Sequence, residues 1–302
     1  MEIDDVRKLE TLVDIEGAKQ VASETRMYLS SSQGLIHAGE LVSHLSAFEA
    51  IDDLIPYFGD YRLAYGDALY QLKNSVNLAF NGFYGQAFSL LRSVCELSLL
   101  QASLPHGYSV SDRALNILRS MLPPDTYLPS QDDANYVLSL GFAATQTPDR
   151  EATSLKEWAV DGCRSPRFQK MLSLLLMSPA ASEFDSKVHL SKRLLKIVSD
   201  LDPYVHIRGY LRSATGLSSG NMLRFSKKSL FKFRVRMKST TQISIAILMI
   251  AFLPSSTKNP EAVAHFIDYG DLQLVLKVLP KKDSELLREI YYSLEDKPDM
   301  TK

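Results

Sequence analysis

Arg92 and Glu96 stand four residues apart in "YGQAFSLLRSVCELSLLQASL". On a helix that spacing makes their side chains neighbours. Far downstream, the short stretch "PYVHIRG" supplies His206 and Arg208. A histidine beside a carboxylate can move a proton near neutral pH. Two guanidinium groups offer forked donors to a phosphate. Together these four residues suit phosphodiester cleavage, with Arg92 or Arg208 stabilising the charge on a pentavalent phosphate. The same set can instead form a structural knot, in which Glu96 pairs with both arginines and His206 caps a helix end. Buried networks of that kind hold only when every member is satisfied.

A second cluster is purely cationic. "RFSKKSLFKFRVRMK" holds Arg224, Lys227, Lys228, Lys232, Arg234, Arg236 and Lys238 with no acidic residue, interleaved with Phe225, Phe231 and Phe233. In a chain of net charge -1 this is the candidate surface for RNA, DNA or another anionic partner. The ordinary alternative is a helix whose first half is a solvated cationic face and whose second half is buried.

Other chemistries find no support in the residue pattern. His37, His44, His106, His189 and His265 have no ligand spacing of the H-E-x-x-H kind, so no metal is expected. "SATGLSSGN" lacks the lysine of a phosphate-binding loop and no strand precedes it, and no G-x-S-x-G elbow occurs. No cofactor is expected. The two cysteines, Cys95 and Cys163, make no disulfide framework, and Cys95 lies in an apolar helical run as a packing residue. The start, "MEIDDVRKLE", lacks the apolar core of a signal peptide. The most apolar run, "ISIAILMIAFL", is too short to span a bilayer. A cytoplasmic protein with no membrane span is expected.

These groups must be positioned by helices. Apolar residues recur at helical spacing almost throughout. Helices are expected over 2–29, 38–55, 61–81 and 84–104, with Asn81-Gly82 stopping the third. The short connection makes the third and fourth an antiparallel hairpin. On the fourth, Leu90, Val94, Leu97, Gln101 and Leu104 form the expected core stripe. Arg92, Glu96, Leu99 and Ser103 lie opposite, among small residues that let something pack close. Prolines break 105–150 into short pieces. Helices follow at 151–161, 166–178 and 180–200, the last ended by Pro203, with Asp202 as cap of a new short helix near whose amino end His206 would lie. A long helix covers 222–253, and three short ones lie near 260–268, 271–279 and 283–294. The expected fold is all-α: a helical bundle built on a long antiparallel helix hairpin with additional shorter helices. It occupies 1–254, with a small helical extension over 255–302.

The stretches "NLAFNGFYGQAFSLLRSVCEL" and "YVHIRG" resemble a set of bacterial helical proteins distantly similar to the HEPN superfamily of helical bundles. The likeness spans residues 60–105 and 185–250. It implies a place in bacterial antiviral defence or stress systems, where many HEPN members are ribonucleases. Their signature, an arginine followed after four to six residues by a histidine, is absent. Residues 199–201, where that arginine would precede His206, are Ser-Asp-Leu. Two functions follow. The first is a non-enzymatic helical interaction or regulatory protein, and the missing signature favours it. The second is a HEPN-like ribonuclease using His206, Arg208, Arg92 and Glu96. RNA or another protein is the expected partner, and the long apolar faces also permit a homodimer.

Overall fold

The computed structural model describes residues 15–55, 63–107, 167–205, 225–256 and 271–295. Every regular element among them is a helix, so the fold is all-α. In chain order they are α1 (Ile15–Leu29), α2 (Ser32–Ala50), a 3-10 turn (Ile51–Leu54), α3 (Leu63–Phe80) and α4 (Tyr84–Gly107). After them come α5 (Phe168–Leu176), α6 (Pro179–Val188), α7 (Leu190–Val205), α8 (Lys227–Ser256), α9 (Asp271–Val278) and α10 (Lys281–Glu295). The helices expected over 151–161 and 260–268 lie outside the described residues.

α4 and α8 are the centre. α4 packs on α3, α5, α7 and α8, and α8 also meets α2 and α10. Every residue of α8 from Ile243 to Phe252 is buried. A helix that is apolar all round is one enclosed on all sides, which accounts for the run "ISIAILMIAFL". α4 departs from the expected wheel for the same reason. Leu99 and Ser103, expected on its outer face, are fully buried, while Leu90 and Leu97 of the expected core stripe are only half-buried. With neighbours on several sides, α4 has no single core stripe.

The connection between α3 and α4 is Asn81-Gly82-Phe83. Gly82 takes φ 85°, which a glycine adopts without strain, and Phe83 N–H closes the turn onto the Leu78 carbonyl at 2.9 Å. At the far ends, Tyr65 N–H donates to Gln101 Oε1 at 3.1 Å, and the Tyr65 hydroxyl donates to the Phe48 carbonyl at 2.7 Å. α9 packs on α2, and α10 packs on α8 and α6, so Leu276 and Leu287 join the common core.

Several boundaries differ from the sequence expectation. α2 begins at Ser32 rather than near Ala38, because Ser31 caps it by accepting from Gly34 N–H. The helix expected over 180–200 is two. His189, at φ 55° and ψ 44°, turns the chain between α6 and α7, and Asp185 accepts from both the amide and the hydroxyl of Ser191 to seal the break. Pro203 does not stop α7, which runs on to Val205. In the last turn a proline forfeits one amide bond, and contacts of that turn with α4 offset it. Pro254 likewise lies inside α8.

Candidate functional site

α4 carries Arg92 in its middle and places it against the last turn of α7. The Arg92 Nη1 donates to Glu96 Oε2 at 2.8 Å, one turn on. Its Nε donates to Asp202 Oδ1 at 2.6 Å. Beside this contact the rings of Phe88 and Tyr204 meet at 4.5 Å. The small side chains flanking Arg92 thus make room for α7. The Arg92 side chain is 17% exposed, against 33% for Glu96 and 44% for Asp202. One guanidinium therefore holds two carboxylates, and the trio is net negative. Asp202, expected as a helix cap, is an ion-pair partner instead. His206 and Arg208 lie outside the described residues. α7 is described as far as Val205.

The cationic segment is distributed over three neighbours. Arg234 Nη1 meets Glu40 Oε2 at 2.9 Å, and Lys238 Nζ meets Glu40 Oε1 at 2.8 Å. Arg236 Nη1 meets Asp200 Oδ2 on α7 at 2.6 Å. Lys227 lies over the Tyr28 ring and Arg234 over the Phe231 ring. Lys228 and Lys232 are exposed. Arg224 lies outside the described residues. The expected surface is thus partly neutralised by acids that local sequence does not contain.

Glu40 belongs to a cluster that the histidine pattern hid. His37, Glu40 and His44 follow at i, i+3 and i+7, so α2 presents them on one face toward α8. Their helical spacing is the signal for this cluster, and it differs from metal-ligand spacing. The Tyr28 hydroxyl and His37 Nδ1 are 2.9 Å apart, and His37 meets the Phe231 ring edge-on. His44 is buried, with Nδ1 3.1 Å from Thr241 Oγ1. The Thr241 hydroxyl donates to the Met237 carbonyl at 2.7 Å. Its single proton is then committed, so His44 Nδ1–H is the donor between the two.

Burial, reinforced by the charge of Lys238 and opposed by Glu40, pushes the His44 pKa down to about 4. Burial and Arg234 also hold His37 below its ordinary range. For Glu40, burial pushes upward, but the bond and charge of Lys238, with Arg234 and His44, bring the net value below the ordinary carboxylate range. His44 is therefore a neutral structural histidine at pH 7. Cys95 is equally unsuited to chemistry, since burial pushes its thiol up to about 12. Among the described residues no group of three His, Cys, Asp or Glu side chains could hold a metal ion, and no helix is long and apolar enough to cross a membrane.

No family model, curated protein or solved structure matches the chain.

Proposed function

We propose that this chain is a non-enzymatic helical interaction module, in which Arg92, Glu96 and Asp202 clamp α7 to α4. The observation that carries this reading is the bond from Arg92 Nε to Asp202 Oδ1. A guanidinium already held by two carboxylates has little charge left for a substrate phosphate, but it fixes two helices that are far apart in sequence. The bacterial defence or stress setting comes from the resemblance, and RNA or a second protein is the partner class.

The test pairs two variants with two measurements. Arg92→Ala should lower the melting temperature, and neither the wild type nor the Arg92→Ala and His206→Ala variants should cleave RNA. RNA cleavage by the wild type that His206→Ala abolishes, with Arg92→Ala still fully stable, would overturn the reading in favour of a HEPN-like ribonuclease.

A further inference from the structure

α7 and α8 run antiparallel side by side. Phe88 touches both Tyr204 and Phe233. The Arg236–Asp200 bridge lies three residues further along α8 and four residues back along α7. That bridge fixes the register of the two helices. Along α8, Lys232 and Lys228 precede Arg236 by one and two turns. Along α7, Lys196 and Lys192 precede Asp200 by one and two turns, and so extend the other way. All four lysines are exposed, and Arg236 remains 38% exposed in its bridge.

At 1.5 Å per residue, the five cations sit about 6 Å apart along the axis, over about 24 Å. Leu194 and Leu201 of α7 and Phe233 and Met237 of α8 are buried, so the four lysines lie on the outward sides of their helices. Among the described residues these four lysines have no carboxylate partner, in contrast to Arg234 and Lys238, which Glu40 holds. Phe231, next to Lys232 in sequence, is 50% exposed on the side of α8 toward His37, with Arg234 over one face of its ring.

We propose that this row binds the phosphate backbone of a single-stranded nucleic acid, with Phe231 stacking a base. The proposal rests on the reading of the chain as an interaction module and names its partner. A linear row of evenly spaced cations fits a linear polyanion. Its step is nearly twice the ~3.4 Å rise of a duplex strand, which suits an extended single strand. An exposed ring next to a cationic path is how single strands are held without sequence readout. A membrane surface would call for a broad apolar face, whereas among the described residues along the row only Phe231, Val235 and Leu195 are exposed and apolar.

The experiment is fluorescence anisotropy of labelled oligo(U) and oligo(dT) with the full chain at several salt concentrations. Four phosphate contacts, one for each lysine, predict a log–log salt slope near −2.8, from about −0.7 per contact. Lys228→Glu/Lys232→Glu and Lys192→Glu/Lys196→Glu should each weaken binding at least tenfold at unchanged melting temperature. The corresponding Gln pairs should flatten the slope by about 1.4. Phe231→Ala should weaken binding roughly fivefold or more. Lys277→Glu, on α9 and off the row, should bind as the wild type does. Absence of oligonucleotide binding, equal loss in Lys277→Glu, or binding only to phosphatidylserine vesicles would each overturn the proposal. The clamp is read by the melting temperature of Arg92→Ala and the row by oligonucleotide affinity, so the two can fail separately.

Discussion

Arg92 Nε reaches Asp202 Oδ1 at 2.6 Å across 110 residues of chain. The bond is charge-assisted and only partly solvated at its arginine end, so it is worth more than a surface pair, but the exposure of Asp202 discounts it. Arg92→Ala should lower the unfolding free energy by about 2 kcal/mol, because packing of the stem is lost as well. Asp202→Ala should cost about 1 kcal/mol, since Glu96 still holds the guanidinium. A double-mutant cycle by urea denaturation checks this. A coupling energy of zero would remove the clamp.

Arg193 and Asp283 present an asymmetric pair. Both carboxylate oxygens of Asp283 accept from Arg193 Nη1, at 2.9 and 2.6 Å. The Asp283 side chain is 3% exposed and that of Arg193 is 32% exposed. Removing the arginine strands a buried carboxylate, whereas removing the carboxylate leaves an arginine that water can reach. Arg193→Ala should therefore cost about 3 kcal/mol, more than Asp283→Ala. The double variant Arg193→Ala/Asp283→Ala should be more stable than Arg193→Ala alone. Chemical denaturation of the three proteins decides it, and equal costs for the two single variants would contradict the asymmetry.

Two glycines of α2 should respond in opposite directions. A Cβ on Gly34 would collide with the Tyr28 carbonyl and the Leu29 Cα, which are backbone and cannot swing away. Gly34→Ala must push α1 and α2 apart and should cost about 2–3 kcal/mol. A Cβ on Gly39 meets nothing. Gly39→Ala should stabilise by about 0.8–1 kcal/mol through helix propensity alone. A melting temperature of Gly34→Ala at or above that of the wild type would show that the close approach at Gly34 is not limiting.

The helical class and the places of α3 and α4 were legible because their apolar spacing is local, but the buried faces of α4 were not, since α3, α5, α7 and α8 reach it from several sides. The break at His189 was not, since neither glycine nor proline marks it, and the seal comes from Asp185 through side-chain bonds to Ser191. Asp202 misled for a related reason. An aspartate before a proline has the makings of a helix cap, and nothing near it in sequence says that an arginine on α4 will claim its carboxylate. The basic segment was legible as composition only. Glu40 and Asp200, which neutralise part of it, arrive from α2 and α7.

His44 gives the fold an acid-sensitive contact. Its neighbours from α8 are Lys238 and Thr241, and Glu40 shares its helix. The folded-state pKa of about 4 lies below the ordinary 6.5. The unfolded chain therefore binds the proton more readily than the folded one. The stability tied to neutral His44 is fully present above about pH 6.5 and is lost as pH falls toward 4, amounting to about 3 kcal/mol at the lower limit. Glu40, whose folded pKa is lowered, loses its own contribution in the acid range. His44→Gln is the control, because it keeps a donor for Thr241 and cannot charge. Urea denaturation between about pH 7 and pH 5 should show a steeper loss for the wild type than for His44→Gln. Equal slopes across that interval would mean that His44 titrates in the folded protein as it does in the unfolded chain, and that burial between α2 and α8 does not set its charge.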